Sequence, residues 1–218
     1  LDYLIINHME PDHSGAVRSI KEHYPDVKII ANQKTVGFLE GFYDITDNLQ
    51  VVEDGDSIDL GSRELEFYLT PMVHWPETMM TYDTADKVLF SGDAFGSFGA
   101  LDGGIFDDEI NKHKYDDEIR RYFSNIVGKY SRMVQTALGK LGDLPVEIVA
   151  STHGPVWRED PAYIIDYYDK LSCHKPDEGV VVVYGSMYGN TKLMAERTAR
   201  SLAENGVKNV IVHDAART

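Results

Sequence analysis

A short segment near the start of the sequence concentrates side chains that bind metal ions. Its motif, His-x-Glu-x-Asp-His, places four potential ligands within six residues, directly after an apolar run: His8, Glu10, Asp12 and His13. Imidazole nitrogens and carboxylate oxygens bind zinc, iron and manganese in proteins. Alternate residues of an irregular loop can converge on one ion, while the adjacent Asp12 and His13 can turn toward a second. The segment therefore predicts a loop shared by two metal ions.

Three further candidate ligands each follow a predicted strand. They are His74, Asp93 and His153, and Gly92 and Gly154 beside two of them would permit tight turns. Loops at one edge of a sheet can bring together residues that are far apart in the sequence. We therefore expect all seven ligands to form one dinuclear site.

The remaining histidines and the single cysteine are not assigned to this site. His23, His113, His174 and His213 have no comparable neighbours and are interpreted as surface or core residues. Because Cys173 is the only cysteine in the sequence, an intrachain disulfide and a thiolate-rich metal site are both excluded. Any metal must therefore be bound by histidine and carboxylate side chains.

The overall composition is that of a globular protein in water. Of the 218 residues 43% are hydrophobic and 26% are charged, and the formal net charge is -15. A chain this acidic should repel nucleic-acid phosphates and anionic membranes. Neither is therefore an expected partner. No apolar run is long enough to span a membrane, and no signal peptide is visible. These features predict a cytoplasmic protein.

The elements that must position the ligands alternate between short strands and helices, with an antiparallel β-rich region in the middle. The predicted strands are 3–7, 27–31, 50–53, 57–60, 64–70, 79–83, 87–91 and 146–150. The predicted helices are 16–24, 33–43, 115–141 and 162–171, and residues 94–114 are expected to form a long loop over the site.

A second unit is predicted after the polar segment 173–179. Strand 180–184, helix 191–204 and strand 210–212 form a βαβ pattern. The turn between its first strand and its helix could bind a phosphate through backbone N–H groups at the positive helix end. The residues of this turn are Ser186, Met187, Tyr188, Gly189, Asn190 and Thr191. Because the chain begins inside a strand and stops just after the βαβ unit, we expect both ends to be cut.

The seven ligands and the phosphate-binding turn together resemble the flavodiiron proteins. The resemblance implies an α/β chain with an N-terminally incomplete metallo-β-lactamase-like αββα sandwich in residues 1–175. Residues 176–218 would then begin a flavodoxin-like doubly wound domain that binds FMN. By the same resemblance, one iron is bound by His8, Glu10 and His74 and the other by Asp12, His13 and His153, with Asp93 bridging the two.

One ligand separates this chain from related hydrolases. Zinc hydrolases of the same fold usually have a second histidine in the motif where this sequence has Glu10. Three carboxylates, from Glu10, Asp12 and Asp93, supply hard oxygen donors that favour an oxidised iron. Because carboxylates also bind zinc and manganese, a zinc-dependent hydrolase of the glyoxalase or lactamase type stays open as an alternative.

The resemblance also implies the reaction and the partners. FMN would supply electrons to two irons that reduce O2 to water or NO to N2O, within a head-to-tail homodimer or a tetramer. The donor would be rubredoxin or another reductase. A gas sensor or electron carrier without turnover is a further alternative. The sequence does not distinguish O2 from NO as the substrate, because the same metal ligands would serve the reduction of either gas.

Overall fold

The computed structural model describes residues 1–142 and 144–217. The chain divides into two compact units, Leu1–His174 and Lys175–Thr218. The first unit contains two separate β-sheets, and the second contains a two-stranded sheet with one helix.

The first sheet of unit one is parallel throughout. Its order is β1 (Tyr3–Ile5), β2 (Lys28–Ala31) and β3 (Leu49–Val51). The helices that connect these strands are α1 (Pro11–Ser14), α2 (Val17–His23) and α3 (Gln33–Tyr43). The predicted helix 33–43 is confirmed. Its first turn is capped by Asn32, whose side chain accepts hydrogen bonds from the backbone N–H groups of residues 34 and 35.

The second sheet is antiparallel, as predicted for the middle of the chain, except that its last two strands run parallel. In order it contains β4 (Ser57–Asp59), β5 (Glu64–Leu69), β6 (Met79–Asp83), β7 (Val88–Gly92) and β8 (Ile148–Ser151). Helices α4 (Asp116–Tyr122), α5 (Ser131–Leu141) and α6 (Pro161–Ser172) follow β7 and β8.

Three apolar cores show that the layers are helix, sheet, sheet and helix. Ile29 and Ala31 of β2 pack toward α2 and α3, whereas Ile30 between them packs against Phe67 of the second sheet. The next residue of β5, Tyr68, packs with the third core, which contains α4, α5 and α6. Successive strand residues face opposite sides, so each sheet is covered on both faces. The predicted αββα layering is therefore observed.

The prediction of one helix over residues 115–141 is wrong in detail. A 3₁₀ turn (Lys112–Tyr115) precedes α4, and a π-helical turn (Phe123–Val127) and another 3₁₀ turn (Gly128–Tyr130) separate α4 from α5. The wider π turn buries Phe123 and Val127 beside Tyr122 of α4. Apolar spacing indicated helical backbone but carried no signal for the change in pitch.

A second correction concerns the ligand motif, which is not wholly an irregular loop. Asp12 and His13 lie in the one-turn helix α1, in which Pro11 occupies the first position. The fixed φ of proline is already helical, and its missing N–H is not needed there. The Glu10 carbonyl accepts hydrogen bonds from the backbone N–H groups of His13 and Ser14. The turn thus points Asp12 and His13 in defined directions.

The second unit has the predicted βαβ pattern. Strands β9 (Val180–Tyr184) and β10 (Val210–Asp214) are parallel and in register, and α7 (Asn190–Glu204) connects them. Predicted strand 210–212 is two residues longer than expected at its C-terminal end. Right after β9, the turn with the predicted phosphate ligands leads into α7.

Asp83 at the end of β6 provides a test of fold stability. It is 3% exposed, and its carboxylate accepts hydrogen bonds from Ala85 N at 2.9 Å and from Arg63 Nη1 at 2.5 Å. Burial by itself would raise the pKa of Asp83, but the hydrogen bonds from Ala85, Asp86 and Arg63 hold that pKa below its ordinary value. An acid with a lowered folded-state pKa stabilises the fold above its unfolded-state pKa, and loses this effect as the pH falls through the folded-state value.

We expect Asp83→Ala to lower the free energy of unfolding by about 1–3 kcal/mol at pH 7, because the hydrogen bonds from Ala85, Asp86 and Arg63 to this buried carboxylate are lost. The difference from wild type should shrink as acid protonates Asp83 in the native protein. Urea unfolding at neutral and acid pH measures both effects. Asp47→Ala removes an exposed carboxylate paired with Lys21 and should change stability little. A difference that grows as the pH falls would contradict the prediction.

Candidate metal centre

The motif residues reach the site from the end of the first sheet. Strand β1 ends at Ile5, and the chain then places His8 inside the protein, 4% exposed. Glu10 and Asp12 lie nearer the surface, with side chains 33% and 52% exposed. The motif thus forms one wall of the site, from a buried floor at His8 to an open rim at Asp12.

The other three ligands approach from the second sheet. His74 follows β5, Asp93 follows β7, and His153 follows β8. The two tight turns expected at glycine are confirmed, since Gly92 has φ +60° and Gly154 has φ +79°. All seven predicted ligands are thereby brought to one place, between the ends of the two sheets.

Four side chains converge on the deeper side of the site. His74 Nε2 lies 3.0 Å from Glu10 Oε2 and 2.9 Å from Asp93 Oδ2. His8 Nε2 lies 3.3 Å from the same Glu10 oxygen and 3.7 Å from the same Asp93 oxygen. Two imidazole nitrogens and two carboxylate oxygens therefore surround one small volume.

A second group lies on the more open side. His13 Nε2 is 2.8 Å from Asp93 Oδ1 and 3.4 Å from Asp12 Oδ2. His153 Nε2 is 3.5 Å from that Asp12 oxygen and 3.6 Å from that Asp93 oxygen. Candidate ligand atoms of Asp12, His13 and His153 lie within 4.8 Å of one another. His13 also lies within 4.8 Å of ligand atoms of His8, Glu10 and Asp93, so the two groups overlap at His13.

Asp93 is shared by both groups, through a different oxygen for each. Its side chain is 2% exposed, and Thr152 Oγ1 donates a hydrogen bond of 2.8 Å to Oδ1. Burial would raise the pKa of Asp93, but the His13 and His74 imidazoles and the Thr152 hydroxyl outweigh it and hold that pKa far below its usual range. The group is therefore a carboxylate at neutral pH, with one oxygen available to each side.

The imidazoles respond to the same charges. The Asp93 carboxylate, opposed in part by burial, raises the pKa of His13. At His74 burial lowers the pKa, yet the Asp93 and Glu10 carboxylates together raise it above its ordinary value. Because the pKa of each ring is raised, ion binding has to compete with protons up to a higher pH than at an ordinary histidine.

The residues fit a pair of metal ions on two observations. His13 Nε2 is buried and lies 2.8 Å from Asp93 Oδ1, but it makes no hydrogen bond of good geometry with a described residue. A ring nitrogen in that position is costly unless an ion or a proton occupies it. In addition, the set combines four imidazoles with three carboxylates, which suits divalent iron, manganese or zinc. The metal roles themselves stay a prediction.

Two neighbours of the ligands were not found by sequence reasoning. Glu77 Oε1 lies 2.7 Å from His8 Nδ1, and Thr152 is the residue that hydrogen-bonds Asp93. A charged residue just before the apolar strand β6 was a usable signal for Glu77. For Thr152 the only available signal in the sequence was its position next to His153.

The histidines left out of the site do not join it. His23 Nδ1 hydrogen-bonds Ser19 O within α2, and His113 packs against Tyr163. Within residues 1–142 and 144–217, neither these two nor His174 and His213 belong to a group that could hold a metal ion.

Four of the six predicted FMN residues, 186–189, lie in the turn between β9 and α7, and Asn190 and Thr191 begin α7. Gly189 has φ +88° at the start of the helix, and its N–H donates a hydrogen bond to Ser186 Oγ at 2.9 Å. Met187 and Tyr188 are 87% and 86% exposed. The geometry is that of a strand-to-helix turn, and FMN binding stays a prediction for this chain.

Comparison with known proteins first identifies the class of domain to which residues 1–154 belong. A family model described as "ODP family beta lactamase" matches residues 1–154. The α/β fold with two facing sheets is therefore that of a β-lactamase-like domain, and the ligands lie within the matched range.

The relatives narrow this class. An anaerobic nitric oxide reductase flavorubredoxin from Escherichia coli is 38% identical over 208 residues, which cover 94% of this chain and 43% of that protein. The rubredoxin oxygen:oxidoreductase from Desulfovibrio gigas superposes with a TM-score of 0.89 at 31% identity, covering all of this chain and 55% of that one. For the flavodiiron protein from Giardia intestinalis the TM-score is 0.89 at 27% identity, with coverage of 100% and 54%.

This chain belongs to the flavodiiron protein family. It spans about half the length of the relatives it matches. In the part of the chain that the structure describes, no helix is long and apolar enough to cross a membrane.

Proposed function

We propose that residues 1–175 of this chain form the diiron centre of an enzyme that reduces O2 or NO. One iron would be bound by His8, Glu10 and His74, and the other by Asp12, His13 and His153. Asp93 would bridge the pair. Bound iron would supply the redox chemistry, and the protein would supply its position, its charge and its surroundings.

The observation that carries this proposal is the division of Asp93 between two groups of ligands. Each oxygen of the carboxylate faces a different set of imidazoles, at 2.9 Å from His74 and 2.8 Å from His13. A single-ion site has no need of two such sets around one carboxylate. The geometry therefore favours two metal ions over one.

Access to the site also suits a small substrate. His8 and Asp93 have side chains only 2% exposed, whereas those of Asp12 and His153 are 52% and 34% exposed. Near His153 lies the Tyr122 ring, at 5.6 Å between centroids. Burial, assisted by the Asp93 charge, raises the pKa of Tyr122, so its hydroxyl keeps its proton and can donate it in a hydrogen bond.

The preference for redox chemistry over hydrolysis rests on Glu10 and on the relatives. Glu10 Oε2 lies within 3.3 Å of both His8 and His74, so a carboxylate completes that half of the site. Hard anionic oxygen stabilises oxidised iron, which a hydrolytic zinc centre does not need. Relatives are called a nitric oxide reductase and a rubredoxin oxygen oxidoreductase.

The electron source is the second part of the proposal. Residues 176–218 would contribute the first βαβ unit of a flavodoxin-like domain, with residues 186–191 at the FMN phosphate. The donor to FMN would be a rubredoxin or another reductase, and a head-to-tail homodimer or tetramer would bring flavin and iron together. The 15-residue helix α7, with its N-terminus at this turn, supports a phosphate there.

The decisive experiment measures metal content, flavin content and gas consumption in the full-length protein. We expect two irons for each chain, bound FMN, and consumption of O2 or NO by the reduced protein under otherwise anaerobic conditions. His153→Ala should abolish gas consumption while FMN stays bound, and His23→Ala is the matched control that should leave both unchanged. Two zinc ions with hydrolysis of a thioester or lactam would instead support the alternative, and gas binding without turnover would indicate a sensor.

A further inference from the structure

Glu77 is a buried carboxylate beside a metal ligand, in the connection between β5 and β6. Its side chain is 0% exposed, and its Oε1 accepts hydrogen bonds from His8 Nδ1 at 2.7 Å and from Met9 N at 3.0 Å. Its Oε2 has no hydrogen-bond partner among the described residues. Burial would raise the pKa of Glu77, but the hydrogen bonds from His8 and Met9 lower it overall.

The backbone around Glu77 is held in place mainly by hydrogen bonds from residues at the start of α3. Asn32, which caps α3, donates from Nδ2 to the Glu77 carbonyl at 2.5 Å, and Lys34 Nζ donates to the Pro76 carbonyl at 3.1 Å. Thr78 Oγ1 donates to the Trp75 carbonyl at 3.0 Å. These contacts anchor the connection that carries Glu77, and its carboxylate lies against Nδ1 of the His8 ring.

This contact selects one tautomer of His8. Since Nδ1 donates its proton to Glu77, the neutral ring carries its lone pair on Nε2, the atom that faces Glu10 and Asp93. A carboxylate on the far nitrogen also makes the ring a better electron donor to a cation. Among the described residues, no carboxylate hydrogen-bonds to Nδ1 of His13, His74 or His153.

We infer that Glu77 is a positioning residue for His8, and that its charge strengthens binding of the ion on the His8 side selectively. The inference rests on the proposed two-ion site. It makes the two ion positions unequal for a reason outside the seven ligands. The loop after β5 then serves the same ion twice, through His74 directly and through Glu77 by way of His8.

The test titrates metal-free protein with Zn²⁺ against a competing chelator. Wild type should bind two ions. Glu77→Gln keeps the shape and an acceptor oxygen but removes the charge, and Glu77→Ala removes both. We expect one of the two binding steps to weaken about tenfold in Glu77→Gln and up to about a hundredfold in Glu77→Ala, with the other step unchanged. The matched control is Glu66→Gln on β5, where Glu66 accepts a hydrogen bond from Tyr68.

Equal weakening of both steps, or no weakening, in a folded Glu77→Gln protein would overturn the inference. A measurement on wild type covers the case in which that variant does not fold. In the Zn²⁺-loaded protein the His8 Nδ1 proton should be slow to exchange and shifted far downfield in NMR spectra, and an ordinary rapidly exchanging proton would contradict the assignment. The proposed function fails separately, because wild type could bind two zinc ions in this way and still reduce no gas as the iron form.

Discussion

Asp93→Ala is expected to leave a folded chain that no longer holds a pair of metal ions. Among the residues that the structure describes, Asp93 alone has two oxygens that face the two groups of imidazoles separately. Without it the deeper group keeps His8, Glu10 and His74, and the open group keeps Asp12, His13 and His153. Two cations would also lose the shared negative charge that reduces their mutual repulsion.

Metal analysis of the folded fraction measures this result, and we expect no more than one ion for each chain and no gas consumption. Asp107→Asn is the matched control. Asp107 is also 2% exposed, but its carboxylate accepts backbone N–H groups of residues 158, 159 and 160 and does not contact the ligands. That variant should lose stability yet keep both ions. Two tightly bound ions in Asp93→Ala would show that the bridge is not required.

Gly154→Ala is expected to destabilise the first unit and to disturb His153. A Cβ at Gly154 would lie 2.1 Å from Ser97 Oγ and 3.1 Å from Ser97 Cβ, and the φ of +79° is unfavourable for alanine as well. Ser97 N in turn donates to the His153 carbonyl. Steric conflict and backbone strain together should cost about 2–4 kcal/mol of unfolding free energy, and the open ion position should lose affinity.

Two variants separate the two causes. Gly55 has a similar φ of +87° but open space where a Cβ would be, so Gly55→Ala should show the backbone cost alone, about 1–2 kcal/mol. Adding Ser97→Ala to Gly154→Ala removes the closest atom and should restore part of the stability. Chemical unfolding and metal titration give both quantities. If the two Gly→Ala variants lost the same unfolding free energy, the contact with Ser97 would add no steric cost at Gly154.

The clustering of the seven side chains was predictable because the segments that carry them each follow a strand. His8 and Asp93 illustrate this, since each comes just after a short apolar segment that the sequence marks as a buried strand. Helix α3 was also found in full, because Asn32 is a strong N-cap and the helix ends at Asp44 in the left-handed conformation. Short-range interactions determine these features, so the neighbouring sequence was sufficient to predict them.

The missed features depend on contacts between distant segments. Glu77 and His8 are 69 residues apart, so the position of Glu77 before β6 could mark it as a candidate but could not identify its partner. Likewise Phe123 of the π turn packs edge-to-face against Tyr168 of α6, at 5.2 Å between ring centroids. Apolar periodicity reports that such residues are buried but not what they are buried against.

The origin of the ligands in two different sheets links metal loading to the assembly of the fold. The motif from His8 to His13 belongs to the first sheet, while His74, Asp93 and His153 belong to the second. Neither sheet alone offers all seven side chains, so the proposed pair of ions could be bound only after the two sheets have packed together. Bound ions would then cross-link the two sheets and stabilise the folded unit against their separation.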